Sequence, residues 1–204
     1  MEAKKTFYKN YYFRSKLEAK WAVFFDLLKI PYTYEPEPFL CKNKEQYTPD
    51  FFLPYAILRD GCDWVEKEDA KMFGEGTLIP RKPGVYLEIK PSNYVTDRLY
   101  EERITTAIQP NPLILLCGDP VESCLQIGFS SVNHNVQLSP WWDNNMVFMY
   151  CDSCNTYKFE FDEGNYYNCP KCQNDISCHF NEIEQQAVSA RNFRFQFYNS
   201  VNHE

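Results

Sequence analysis

Long hydrophobic runs are missing from this chain of 204 residues. The longest apolar stretches, such as Leu113 to Cys117, are far too short to cross a bilayer, and no apolar run follows Met1-Glu2-Ala3-Lys4-Lys5. Neither a membrane partner nor a secretion signal is therefore expected. Internal repeats and low-complexity tracts are also absent, which argues against a repeat array. Positive charge is in short supply, with 21 Lys and Arg against 28 Asp and Glu and a net charge of −7. Phosphate binding is dominated by Lys and Arg, so this balance argues against a protein that coats nucleic acid without specificity.

What the chain does have is enough apolar residue, 44%, for a sizeable core, and enough length for one full domain plus a small appendage. Its nine cysteines are an odd number. Four of them form two Cys-x-x-Cys pairs, a pattern that favours metal binding over a disulfide framework and implies a reducing, cytoplasmic setting. Lys4, Lys5, Lys9, Arg14, Lys16 and Lys20 make the first twenty residues basic, and tyrosines are interleaved with them. That start either faces phosphates or is a solvated arm.

Along the chain, Leu17, Trp21, Phe24, Phe25 and Leu28 recur at helical spacing, which predicts a helix from Ser15 to Lys29 ended by Ile30-Pro31. Extended segments are expected at Tyr32 to Glu35 and Tyr47 to Leu53. Residues 54–84 read as an insertion or lid, with a helical piece from Asp63 to Phe73 and a turn-rich remainder. Val85 to Lys90 is a predicted strand, Asn93 to Ile108 an amphipathic helix, and Leu113 to Cys117 a buried parallel strand closed by Gly118-Asp119-Pro120. A further strand is expected within Cys124 to Ser130. Residues 133–145, with Trp141 and Trp142, read as a connection to a second unit over 146–180, and Asn181 to Asn192 as a last helix with Ile183, Ala187 and Ala190 on one side. The two tryptophans suit either interdomain packing or base stacking.

In Val85 to Lys90 the apolar residues alternate, so Glu88 and Lys90 project together from the opposite face. A solvent-facing ion pair on an edge strand would look the same. Asp50 lies among apolar residues in Tyr47-Thr48-Pro49-Asp50-Phe51-Phe52-Leu53, where a carboxylate is costly unless paired or bound to metal. A turn aspartate after proline is the alternative. Glu18 borders the buried stripe of the first helix and should point inward, yet Ser15-x-x-Glu18 also matches a capping box.

Arg14-Ser15-Lys16-Leu17-Glu18, Tyr47-Thr48-Pro49-Asp50-Phe51 and Leu87-Glu88-Ile89-Lys90-Pro91, on helix, strand and strand in that order, resemble the PD-(D/E)XK nuclease superfamily over roughly residues 13–118. Within it, the chain is most similar to transposon-end endonucleases and phage-type proteins that share the Arg-Ser-x-Leu-Glu helix start. The long stretch between Asp50 and Glu88 departs from the tighter hairpin usual there. The resemblance implies an α/β, restriction-endonuclease-like mixed sheet flanked by helices, over residues 1–132. It implies that Asp50, Glu88 and the backbone carbonyl of Ile89 bind Mg²⁺ or Mn²⁺, with Glu18 as a further ligand directly or through water. Hard cations of this kind take oxygen ligands and leave positions for water and a phosphate oxygen. Lys90 would orient or help deprotonate the attacking water and offset developing charge. Phosphodiester hydrolysis leaving a 5′-phosphate follows, with DNA favoured over RNA by resemblance alone.

Cys151-Asp152-Ser153-Cys154 and Cys169-Pro170-Lys171-Cys172 supply four thiolates at the spacing of two knuckles around one tetrahedral Zn²⁺. Tyr157, Phe159 and Phe161 alternate as a ribbon strand would, with Glu163-Gly164-Asn165 as a turn. Four sulfur ligands leave no open position, so the metal is structural; a redox pair is the competing interpretation, and Cys178-His179 could substitute a ligand. Such a ribbon can contact nucleic acid or a protein partner. A non-catalytic binding protein, or a regulator of phage or mobile-element origin, is the alternative to an enzyme.

Overall fold

Ser15, extended at φ −134° and ψ 157°, accepts the N–H of Glu18 and caps the first helix, α1 (Lys16–Leu27). Lys29, at φ 57°, takes the left-handed turn that ends it, and Trp21, Ala22, Phe24 and Phe25 are fully buried, as the helical spacing predicts. The computed structural model describes residues 5–58, 84–95, 97–108, 111, 113–123, 127–130, 146–151, 153–154, 156–161, 172 and 180–195. Before α1 comes a hairpin of β1 (Thr6–Tyr8) and β2 (Tyr11–Phe13), turned by Lys9 and Asn10 at positive φ. From Thr6 on, the basic start is therefore a folded element.

After α1 come β3 (Thr33–Tyr34), β4 (Phe39–Leu40), β5 (Gln46–Tyr47), β6 (Phe51–Leu53) and β7 (Ile57–Leu58). The extended segment expected over Tyr47 to Leu53 is two strands in different sheets. Pro49 carries no N–H for a ladder, and the chain bends at Asp50, so β5 pairs with β4 while β6 pairs with β3 and β8. β8 (Val85–Lys90), α2 (Arg98–Ala107) and β9 (Leu113–Cys117) form a crossover with β8 and β9 parallel, as expected. The helix starts five residues later than its periodicity suggests. Tyr94 N–H turns back onto the Pro91 carbonyl, and Asp97 accepts the N–H of Tyr100 as the cap. Next are α3 (Pro120–Ser123), a short helix not anticipated, and β10 (Ile127–Ser130), antiparallel to β9.

The main sheet runs in the order β10-β9-β8-β6-β3. It is mixed, and helices cover both faces. On one face Phe51, Leu53, Val85, Leu87, Ile89, Ile114 and Leu116 pack with α1. On the other, Leu113 and Leu115 pack with Ile104 of α2 and Ile108 at its C-cap, together with Tyr47 and Tyr86. Fully burying each large aliphatic or aromatic side chain contributes about 1.5–3 kcal/mol, so these two layers hold the sheet.

β11 (Met146–Cys151) and β12 (Thr156–Phe161) form an antiparallel hairpin, in which β12 takes in the ribbon strand expected over Tyr157 to Phe161 and β11 is a strand not anticipated. β12 also pairs in parallel with β7, Lys158 opposite Ile57 and Phe159 opposite Leu58. The two ends of the expected insertion meet, with Gly84 N–H on the Ala56 carbonyl at 2.8 Å. Gly84 sits at φ 127° against the Phe52 ring, where a Cβ would collide. The last helix, α4 (Phe180–Asn192), returns to the first, and Ala187, Ala190 and Phe195 join the core built on α1. No helix among the described residues is long and apolar enough to cross a membrane. The expected helix Asp63 to Phe73, the connection 133–145, Trp141, Trp142, Glu163 to Asn165, Cys169 and Cys178-His179 lie outside the described residues.

Candidate active site

The pairing of β6 with β8 sets Phe51 opposite Leu87, and one step further along that register Asp50 comes opposite Glu88. Asp50 Oδ2 accepts the backbone N–H of Ile89 at 2.6 Å, Oδ1 accepts Arg14 Nη2, and the Asp50 carbonyl accepts the N–H of Glu35 at 2.9 Å. Glu88 Oε2 accepts the Tyr47 hydroxyl at 2.8 Å, while Oε1 accepts Lys90 Nζ at 2.8 Å and the Tyr100 hydroxyl at 3.1 Å. Glu18 Oε1 accepts the Ser15 hydroxyl at 2.7 Å, and Oε2 accepts the Tyr34 hydroxyl at 2.6 Å and the Arg14 N–H at 3.1 Å. Asp50, Glu88 and Glu18 are only 3%, 6% and 7% exposed.

Three buried carboxylates thus face two cations, Arg14 and Lys90. The consequence appears at Asp50, whose carboxyl is pushed up from 3.8 to about 8 by burial first and then by the charges of Glu88 and Glu18. The Ile89 N–H and Arg14 oppose that shift only in part. For Lys90, burial alone would favour the neutral amine, but Glu88 and Tyr100 outweigh it and its pKa is raised. Lys90 therefore stays an ammonium through the working pH range. Burial and Glu88 likewise hold Tyr47 well above the ordinary phenol, so it remains a hydrogen-bond donor.

Several sequence alternatives resolve here. β8 lies in the middle of the sheet, so Glu88 and Lys90 are not an exposed edge-strand pair. Glu18 serves both expected purposes: its N–H is capped by Ser15 at 3.1 Å, while its carboxylate turns inward to Tyr34. It completes the reciprocal half of the cap on Arg14 N–H, one residue before the capping serine. Sequence reasoning missed Tyr34, Tyr47, Tyr100 and the Arg14 side chain as partners of the acids. Tyr47 is three residues before Asp50 and Arg14 four before Glu18, but no periodicity marks them, because their contacts cross between elements.

Asp50, Glu88 and Glu18 offer oxygen donors, although among the described residues only the three cysteines Cys151, Cys154 and Cys172 bring their ligand atoms within 4.8 Å of one another. Lys90 C=O accepts Gly118 N–H on the β9 side, and Ile89 N–H points the other way, to Asp50. Since backbone groups of one strand residue point to the same side, the Ile89 carbonyl faces Asp50 too. Carboxylate and carbonyl oxygens with surplus negative charge are the ligands that Mg²⁺ and Mn²⁺ take.

In the cysteine unit, Cys151, Cys154 and Cys172 converge with all sulfur atoms within 4.8 Å of one another. A tight turn does this locally, with Cys154 N–H on the Cys151 carbonyl at 3.2 Å. Cys151 and Cys172 sulfurs stand 3.6 Å apart, far beyond the roughly 2.05 Å of a disulfide bond. Sulfurs at about 2.3 Å from one Zn²⁺ lie about 3.8 Å from each other at the corners of a tetrahedron, so the spacing suits a metal. The group could hold such an ion.

No protein-family model, no curated protein and no solved structure matches the chain.

Proposed function

We propose that the chain is a metal-dependent nuclease of restriction-endonuclease-like fold, which hydrolyses phosphodiester bonds, with DNA as the preferred substrate. The observation that carries this reading is the convergence of Glu18, Asp50 and Glu88, from three separate elements, as buried acids with too little cationic partner beside Lys90. Structural ion pairs do not need the surplus charge, whereas a site for a divalent cation does.

Asp50, Glu88 and the Ile89 carbonyl hold the cation, and Glu18 acts on it directly or through water. Bound Mg²⁺ or Mn²⁺ supplies Lewis-acid activation of the phosphodiester and of a water nucleophile. Lys90, kept as an ammonium by Glu88 and Tyr100, orients that water and offsets negative charge at the phosphorus centre rather than removing a proton. Tyr47 and Tyr100 fix the rotamer of Glu88, so both acid and lysine are aimed before substrate arrives.

Cys151, Cys154 and Cys172, with Cys169 as the fourth ligand of the two-knuckle pattern, bind one structural Zn²⁺, and the resulting ribbon positions nucleic acid or a protein partner.

Purified protein incubated with duplex, single-stranded and branched DNA and with RNA, in Mg²⁺ or Mn²⁺, tests the reading. Cleavage by wild type and its loss by 100-fold or more, on the order seen when catalytic groups are removed, is expected for Asp50→Ala and Lys90→Ala. Equal cleavage by all three proteins would refute the site. One zinc per chain, lost on Cys151→Ser and Cys169→Ser, is the expected metal content; folded, zinc-free wild type would refute the ribbon.

A further inference from the structure

The guanidinium of Arg14 bridges the buried site and the surface. Its Nη2 donates to Asp50 Oδ1 and its Nε to Glu35 Oε1 at 2.8 Å, and its side chain is 50% exposed. Tyr34 also lies within hydrogen-bonding reach of the guanidinium. Asp50 Oδ2 is committed to the Ile89 backbone at 2.6 Å, so Oδ1 is the oxygen more readily given to a cation. Arg14 sits on that oxygen, and a dication and a guanidinium cannot share it without repulsion.

Glu35 gives Arg14 somewhere else to stay. It takes φ 45°, a backbone conformation that side-chain-bearing residues avoid, and its N–H is fastened to the Asp50 carbonyl at 2.9 Å. The half-exposed Glu35 carboxylate thereby keeps hold of Nε whatever becomes of Nη2. The fork of a guanidinium matches phosphate oxygens, and the adjoining β2 presents Tyr11 and Tyr12 to solvent, Tyr11 beside the Tyr34 ring at 6.3 Å. Exposed tyrosines next to a cation are the elements of a surface for an unpaired strand.

We propose, on the nuclease reading above, that Arg14 is a substrate-binding residue that exchanges partners. It holds Asp50 Oδ1 while the site has no cation, and it turns outward about Glu35 onto a phosphodiester oxygen once a cation takes that oxygen. Guanidinium and cation then no longer compete, and each occupies the ligand that suits it.

Calorimetric titration of the full chain with Mn²⁺, and binding of a labelled single-stranded DNA oligonucleotide in Ca²⁺, test the exchange with Arg14→Gln and Arg14→Lys. Arg14→Gln should bind Mn²⁺ several-fold more tightly, because a competing charge is gone, and the oligonucleotide about tenfold more weakly. Arg14→Lys, charged but without a fork, should keep the Mn²⁺ affinity and recover only part of the oligonucleotide binding; it carries the test should Arg14→Gln not fold. A structural role alone would weaken both bindings together through a misplaced Asp50. That result, unchanged Mn²⁺ affinity in Arg14→Gln, or wild-type oligonucleotide affinity in Arg14→Lys overturns the proposal. Wild-type cleavage is scored separately: without it the nuclease reading fails, yet tighter Mn²⁺ binding by Arg14→Gln would still support the exchange at Asp50.

Discussion

The Asp50 carboxylate and the backbone N–H of Ile89 are joined by a 2.6 Å hydrogen bond just before β6 begins, where β8 continues past it. The strand supplies a main-chain donor there that the ladder no longer uses. Asp50 is thereby positioned by backbone, which no substitution at position 89 other than proline removes. Its ionisation is nevertheless opposed by burial, Glu88 and Glu18.

A pH dependence follows with a definite sign. The Asp50 carboxyl holds its proton up to about 8 when folded, against 3.8 for the ordinary group, so the protonated form favours the fold. That stabilisation is complete below the ordinary value and is lost as pH rises through about 8. In buffer free of divalent cations, the melting temperature should fall from pH 5 to pH 9, and Asp50→Asn should flatten the fall. Thermal melts across that range check it; identical slopes for both proteins would count against the assignment.

Cation binding should also release a proton. Below about pH 8 a divalent cation has to displace the proton shared at Asp50, so Mn²⁺ affinity should climb with pH and level off above that value. Calorimetry in buffers of different ionisation enthalpy reads the number directly. Near pH 6 the expected value is roughly one proton per cation; zero protons at that pH would be incompatible with it.

Tyr47 and Tyr100 both donate to Glu88, but in different settings. Tyr47 is buried and alone on Oε2, whereas Tyr100 shares Oε1 with Lys90 and is less enclosed. Hydrogen bonds to charged groups contribute about 1.5–3 kcal/mol, so Tyr47→Phe should cost about that much and Tyr100→Phe less. Urea unfolding of the two variants gives the comparison. The reverse order would mean that Glu88 is held chiefly by Lys90 and Tyr100.

Much of this site can be read from residue order, and the reasons for the rest are physical. α1, β8 and β9 announce themselves because a period of 3.6 or 2, or an apolar run, survives in the sequence. The hairpin before α1 does not, since Lys9 and Asn10 adopt positive φ without a glycine to mark the turn. β5 and β6 look like one strand until Pro49 is weighed as a ladder breaker rather than punctuation. Glu18, Asp50, Glu88 and Lys90 were visible as acids and base on suitable elements, but Arg14, Tyr34, Tyr47 and Tyr100 reach them across the fold, and no local pattern encodes that.

Asp119 is the centre of a second buried charge cluster. Arg191 of α4 grips it through Nη2 at 2.7 Å and Nε at 2.8 Å, and Lys20 of α1 reaches it at 3.3 Å. Asp119→Ala would leave two cations facing each other where the two helices meet, at a cost of about 2 kcal/mol once the partial exposure of Arg191 is allowed for. Hydrogen exchange should show α4 loosening first while Mn²⁺ binding is unchanged. Uniform exchange across α1 and α4 would contradict the assignment.

The return of α4 to α1 also governs how this protein can be made. Phe24 and Phe25 leave the ribosome early, while Ala187 and Ala190, which complete the same core, follow only after the sheet and the cysteine unit have been synthesised. At typical elongation rates that interval is on the order of ten seconds, during which the apolar side of α1 has only a partial cover. Newly made chains should therefore spend that time as clients of chaperones, and nonsense mutations anywhere before α4 should yield an aggregating fragment rather than a shorter working protein.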